Sequence, residues 1–574
     1  MVRSRSVVLL ALAASVVVPT LARAQGLPRY QRRQANAPRL MVATPYAFAA
    51  ADSAAAVGIA GGMRDRMERV AGSDYLVIPD SIMNDALLQY GYAKDAILTP
   101  QLALTLAKQL QSRLVVTSQM ARLEGGRFRV QARLVGTSDD AGATITIAQN
   151  AGQRIDAFGE AIADRLAPAL KSYDEAKACM NLRQQKPVKA DKVAEAASKA
   201  LKTYPQNGLA HLCLAQHLAD QQGPKEEIIR HLEAAVEGDS LSLIALSQLA
   251  TKYEEVADSA KLKGTFGLML RVAPTNQKLR EEIFKKLLAL GEANFARQVA
   301  DDGLAQDPYN FDLYDLKSNA CLFASDFKCA VDALEQAYAI DSTKADTLFF
   351  TKISVAAAQR PDTAQLLKWA GNGVRKFPDN VTLLGYLNQG LVLAGMADSS
   401  IAVTRTLMKL DTSAVVPALA AAQGLIGKGR YADAEEFVAF AEQRGDAQQK
   451  QQLALMLVNG ATPLLQQQKD RAALQQAATL ARRGIALGSS NARLAAVGNY
   501  VLGLATYLQI PIVDPEAERT KSCELARQEE QLLADAEAAL NAGKSAQPEA
   551  AAQYLGVVTQ YKPRAASMVR AYCK

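Results

Sequence analysis

The chain holds three histidines, His211, His217 and His231, and all fall within one short stretch. His211 and His231 belong on the two helices of one hairpin and can meet there, which raises a metal site as one reading. A tetrahedral site takes four ligands, or three and a water. No suitably spaced cysteine or carboxylate accompanies the pair, so ordinary packing and surface histidines are expected, with no metal. "AGKS" at 542–545 resembles the end of a phosphate loop. Ala538 stands where the leading glycine belongs, however, and a helix precedes it, so Gly543 reads as a glycine at a helix C-terminus. Glu435 and Glu436 are adjacent on a helix and point apart, so they make no acid/base pair. Asn380-Val381-Thr382 matches a glycosylation sequon, but Asn380 is placed to cap a helix. With no nucleophile, zinc-helix or dinucleotide motif, the sequence offers no catalytic residue and implies no cofactor.

Export is the main targeting message. Arg3 and Arg5 precede an apolar run from Val7 to Val18, and Ala22-Arg23-Ala24 fits a small-x-small cleavage pattern. A secretory signal peptide cut after Ala24 is expected, followed by a linker over 25–38 rich in arginine, read as solvated rather than as a membrane-surface patch. Periplasmic or secreted localisation follows, with peripheral envelope association open. Removing Arg3, Arg5 and Arg23 takes the formal charge from +7 to +4. That mild excess, without a basic run interleaved with aromatics, argues against nucleic acid. No later stretch approaches the ~20 apolar residues of a membrane helix, so none is expected in the mature chain. Six cysteines in an exported chain can pair. Cys523 with Cys573, and Cys321 with Cys329, are the preferred pairs. Cys179 and Cys213, one repeat apart, are expected to lie too far apart to bond.

What must position any surface is the set of elements. From 39 to 171 strand and helix patterns alternate. "LMVATPY" and "YLVIP" read as strands. Ile59, Met63, Met67 and Val70 share a helical face, and Thr99-Pro100 opens a helix carrying Leu102, Leu106 and Leu110. Around Gly125-Gly126 two alternating runs form a hairpin, with Phe128, Val130, Ala132 and Leu134 inward and Arg127, Arg129, Gln131 and Arg133 outward. The outward arginines suit either a solvated face, which is favoured, or an anion site. The layout, above all Leu114 to Asp139, resembles the TolB N-terminal-like module of bacterial envelope proteins. That resemblance implies protein contacts and no active site.

After Lys171 the strand signals stop. Pro205, Ser240, Pro274, Pro308, Ser342, Pro378 and Thr412 recur in matching contexts, with steps of 34 to 36 residues. Such a period is that of a helix-turn-helix unit. Gly291, Ser325 and Gly429 mark turns between helices. Small residues recur on second helices (Ala296, Ala330, Ala434, Ala441) and on first helices (Ala215, Ala250, Ser318, Ala422), where antiparallel helices must approach. From about Tyr173 to Asn491 the chain resembles the tetratricopeptide-repeat family, with about eight units and a stretched ninth. Lys317, Asn388 and Phe284 depart from the residues expected there.

The fold expected is therefore mainly α: a tetratricopeptide-like α-solenoid over 172–491 after a small α/β domain, with a helical cap over 492–574 that includes one long helix across 513–543. The resemblance implies a groove lined by first helices that binds peptides or protein segments. Candidate groove residues by repeat position are Gln216, Asp312, Asp315, Asn319 and Gln389. The expected function is a non-enzymatic scaffold or adaptor in the bacterial cell envelope. The alternative is a glycan- or peptide-binding or processing component with a site between the α/β domain and the solenoid, against which the single Trp369 and the low aromatic content argue.

Overall fold

A computed structural model describes residues 37–139, 141–360 and 362–573. The expected signal peptide, and the expected linker apart from residues 37 and 38, lie outside the described residues. The chain divides after Ile283 into two compact units.

In the first unit the strands are β1 (Arg39–Val42), β2 (Tyr46–Ala47), β3 (Leu76–Val77), β4 (Ser112–Arg122), β5 (Phe128–Gly136) and β6 (Gly142–Ala148). Their order is β3-β1-β4-β5-β6, with β2 also pairing with β4. β1 runs parallel to β3 and β4, while β4-β5-β6 is an antiparallel meander. The helices are α1 (Ser53–Ala71), α2 (Asp80–Gln89), α3 (Pro100–Gln109) and α4 (Ile155–Gln184). α3 starts where its signals say: Thr99 Oγ1 accepts from Leu102 N at 3.4 Å, with proline in the first turn. One sheet face packs Met41, Ala43, Val115 and Val135 against Met83 and Leu87 of α2 and Leu106 of α3.

α1 buries Ile59, Met63 and Met67 completely and lies against α4. That contact is a backbone approach. A Cβ on Gly159 would sit 2.1 Å from the Ile59 carbonyl oxygen, and one on Gly62 would sit 2.1 Å from that of Asp156. Gly159→Ala should therefore destabilise the first unit by about 1–3 kcal/mol, the usual range for overpacking. Urea unfolding of the whole chain would check it; a variant indistinguishable from the parent would show that the helices can separate at no cost.

α4 continues from the sheet region into the helix pairs of this unit: α5 (Ala190–Thr203), α6 (Gly208–Asp220), α7 (Lys225–Gly238), α8 (Leu243–Glu255), α9 (Ser259–Val272) and α10 (Gln277–Ala289), which crosses the unit boundary. The second unit holds α11 (Ala293–Leu304), α12 (Phe311–Phe323), α13 (Phe327–Ile340), α14 (Thr347–Gln359), α15 (Thr363–Lys376), α16 (Val381–Leu393), α17 (Ala397–Leu410), α18 (Val415–Gly427), α19 (Tyr431–Arg444), α20 (Ala447–Ala461) and α21 (Arg471–Leu487). It ends with α22 (Ala492–Tyr507), α23 (Ile510–Thr520), α24 (Cys523–Gly543) and α25 (Pro548–Tyr572).

Local chemistry explains the rhythm. Each recurrent proline, serine or threonine of the sequence lies between one pair and the next. Asn207, Ser242, Asn310 and Asn380 then accept from the backbone N–H three residues on, capping first helices. Within pairs, the turn needs a left-handed residue, supplied by Gln222, Ala257, Gly291, Ser325, Gly395 and Gly429. The expected small residues are buried: Ala215, Ala250, Ala296, Ser318, Ala330, Ala422 and Ala434. Asn388, an unexpected core polar residue, is satisfied locally, since its Oδ1 accepts from Ser400 Oγ at 2.7 Å. Phe284 simply fills its site at 1% exposure.

Three expectations need correction. Cys179 and Cys213 are bonded, at a Cα–Cα distance of 6.3 Å. They stand on α4 and α6, successive first helices that come within disulfide range. Cys321–Cys329 and Cys523–Cys573 are bonded as preferred. The helix expected over 513–543 is two helices, broken at Lys521, whose φ of 51° is left-handed, and restarted by Ser522, which accepts from Leu525 N. Finally, residues 492–520 are long and apolar enough to cross a membrane by length and composition. They form α22 and α23, and α22 packs on α24 so closely that a Cβ on Gly543 would lie 2.3 Å from Tyr500 N. Gly543 thus serves a close approach more than a helix end.

Candidate binding surfaces

The histidine pair does meet. His211 Nδ1 and His231 Nδ1 are 3.1 Å apart, and His211 Nε2 lies 3.0 Å from the Pro205 carbonyl oxygen. With Nε2–H donating to that carbonyl, Nδ1 of His211 is left as the acceptor for Nδ1–H of His231. Burial lowers the pKa of both rings, and the two rings being neighbours lowers that of His231 further. The pair is thereby held neutral at pH 7 as an interhelical link. Among the described residues no group of three or more His, Cys, Asp or Glu is arranged to hold a metal ion.

The candidate groove residues separate into two kinds. Asp312, Asp315 and Asn319 lie on α12, and lysines from the following repeat engage them. Lys344 Nζ is 3.1 Å from Asp312 Oδ2, Lys352 pairs with Asp315, and Lys352 Nζ donates to Asn319 Oδ1 at 3.1 Å. These charges tie one first helix to the next. Gln216 on α6 lines a cavity of about 340 Å³ with Arg183, Asp220, Gln248 and Lys252. Its Oε1 is buried without a partner, and Arg183 Nη1 bridges to Asp220 at 2.7 Å. Gln389 on α16 is exposed.

A larger cavity lies in the second unit, where no candidate was placed. It has a volume of about 800 Å³ between α18 and α20 and is roofed by the connection from α20 to α21. Other pairs turn within residues such as 324–326, 394–396 and 428–430, whereas 462–470 separates α20 from α21 and contains a 3-10 turn at Thr462–Gln466. Leu464 and Leu465, both buried, anchor that connection in the core, and Tyr431 Oη donates to the Gly460 carbonyl at 3.0 Å. The sequence signal was the stretch itself: "NGATPLLQQQKD" lengthens the ninth unit.

The outward face of β5 also departs from a purely solvated one. Arg127 and Arg129 are exposed, but Arg133 reaches an anion inside the chain. Asp239, fully buried just after α7, accepts from Arg133 Nη2 at 2.7 Å, Arg133 Nε at 3.0 Å, Gly142 N at 2.7 Å and Thr144 Oγ1 at 2.5 Å. One carboxylate thereby fastens the sheet meander to the helix pairs.

No family model matches this chain, and no curated protein matches it. Among solved structures, Naa15/Naa10 bound to HypK-THB aligns over 69% of this chain and 68% of its own, at 14% identity and a TM-score of 0.39. YrrB, a TPR protein with an unusual peptide-binding site, aligns over 33% of this chain and 97% of its own, at 17% identity and a TM-score of 0.24. PilW, a type IV pilus biogenesis factor, aligns over 38% and 98%, at 14% and 0.22. At these levels nothing about ligands carries over. The fold is mainly α, a tetratricopeptide-like solenoid of helix pairs preceded by a small α/β domain.

Proposed function

We propose that this protein is an exported, non-enzymatic scaffold of the bacterial cell envelope that binds a segment of another protein along the first helices of its repeats. The observation that carries the reading is the 800 Å³ cavity between successive first helices, roofed by an inserted connection. Stacked repeats provide such extended surfaces, and insertions tend to fall on the face that binds. Three disulfides support an oxidising compartment, and the basic-then-apolar opening supports cleavage after Ala24. The TolB N-terminal-like reading of residues 39–171 fits a role in protein contacts at the envelope.

Two measurements test this. Intact-mass analysis of the protein from its native cell should find a chain beginning at Gln25; one retaining Met1 would remove the export reading. A photocrosslinker at Leu455 should trap one or a few proteins, the strongest of which should rebind when purified, while the same probe at Lys328 on an exposed second-helix face should not. Equal labelling from both positions, or from neither, would overturn the scaffold reading.

A further inference from the structure

We infer that the cavity beneath the 462–470 connection receives an extended, uncharged stretch of polypeptide, its backbone read by side-chain carboxamides and one aliphatic side chain lodged against Leu455 and Met456. The inference rests on the scaffold reading and narrows it to a site and a ligand chemistry.

Four features lead there. The first is the set of polar groups. Gln423, Gln452, Asn459, Gln467 and Gln476 line this one cavity, and none of their carboxamides is bonded to another group of the described chain. A carboxamide presents a donor and an acceptor side by side, the same pair that the N–H and C=O of one extended residue present in return. An extended strand turns such pairs outward at every residue, whereas a helix has already used them.

The second feature is charge. Asp470 is the one side chain in the lining that is charged at neutral pH, and its Oδ1 is occupied capping α21, accepting from Ala473 N at 3.1 Å. Within this cavity an acidic tail or a phosphate would lose its hydration and meet no cation in return, since Arg493 lines only the adjoining one. A basic segment would meet a single carboxylate already in use.

The third is the apolar floor. Leu455 is 50% exposed, a large aliphatic side chain left partly in water on the cavity wall, with the half-buried Met456 beside it. A thioether and a branched aliphatic adapt to aliphatic guests of varied shape. Sugar rings call for flat aromatic platforms. Here the lining offers Tyr431 alone, its hydroxyl committed to Gly460.

The fourth is continuity. A second cavity of about 530 Å³ shares Gln452 and Leu455 and continues past Gln448 and Gln451 towards Asn491 and Arg493. Carboxamides therefore mark a track along α20 longer than one side chain needs, as a chain rising ~3.3 Å per residue requires.

The test is selection of random peptides displayed against the full, oxidised chain, followed by titration of enriched peptides against the parent, Leu455→Glu and Asn459→Ala. Leu455 is half exposed, so the glutamate variant should melt like the parent, which far-UV dichroism verifies. Enriched peptides should be uncharged with at least one aliphatic residue. They should bind with little salt dependence, lose about tenfold or more in affinity to Leu455→Glu, and lose less to Asn459→Ala. Charged peptides with strong salt dependence, or uncharged peptides indifferent to both variants, would overturn this site while leaving the scaffold reading intact. Oligosaccharides competing at Leu455 would overturn the ligand class. A chain that binds neither displayed peptides nor any crosslinked protein would overturn both readings.

Discussion

Asp239→Ala should lower the unfolding free energy of the first unit by about 3–5 kcal/mol, the range for breaking one side of a buried charge pair. The reason lies in what the substitution leaves behind. Asp239 is fully buried and accepts from the Arg133 guanidinium, the Thr144 hydroxyl and the backbone N–H of Gly142, while the Arg133 side chain is only 18% exposed. Removing the carboxylate takes a charged acceptor from the Arg133 guanidinium and from two further donors in a place with little water. An exposed pair such as Arg430–Asp398, with side chains 44% and 87% exposed, should contribute little, because water and salt screen it. Asp239→Asn keeps an acceptor for Gly142 N and should cost less than the alanine change. In the double variant with Arg133→Ala the combined loss should be less than the sum of the two single losses, because both substitutions remove the same interaction. Amide exchange over β5 and β6 reports the site directly and should accelerate in Asp239→Ala. Unchanged exchange there, or a loss below about 1 kcal/mol in urea, would mean that the meander is held by apolar packing alone.

Asp239 also marks a limit of what a sequence shows. It follows a helix as an unremarkable acid, and its donors arrive from Arg133, Gly142 and Thr144, about a hundred residues earlier. No local pattern couples them. β6 was missed for a related reason: Gly142–Ala148 alternates threonine with isoleucine but follows a hairpin already closed by its own turn. The helix pairs were legible because their determinants are local. Asn310 needs only Leu313 N three residues away, and Gly429 needs only its own left-handed φ. Lys521 takes that same conformation without being glycine or asparagine, so the break in the cap carried no composition signal. The groove residues chosen by repeat position lie on α6, α12 and α16, whereas the 800 Å³ cavity lies at α18–α21, where an insertion departs from the repeat. A periodic pattern points to equivalent places, and the cavity arises where equivalence fails.

The cap makes the remaining strong prediction, a loss of stability on raising the pH through neutrality. Glu529 on α24 is fully buried, and neither of its carboxylate oxygens has a hydrogen-bond partner. The charged groups facing it are Asp514 and Glu518 on α23 and Arg564 on α25. Arg564 is already engaged, 2.5 Å from Glu518 and 3.1 Å from Asp514. Burial first, and the Asp514 carboxylate second, push the Glu529 carboxyl up to about 7 from an ordinary 4.5. Burial likewise raises Asp514. Between pH 4.5 and 7 the folded cap therefore keeps a proton that the unfolded chain has released. Bound protons then favour the folded state, so stability falls with rising pH across that window and levels off above it. The size is set by the cost of an uncompensated buried carboxylate, several kcal/mol. Glu529→Gln removes the ionisation while keeping the shape, so exchange of the α24 amides should become nearly independent of pH after correction for the intrinsic rate. In the parent, the same amides should lose protection from pH 5 to about 7 and change little above it. A parent as flat as the variant would show that a partner absent from α23 and α25 stabilises the carboxylate. A parent that gained protection with pH would reverse the sign, and with it the assignment of a protonated Glu529 to the folded cap.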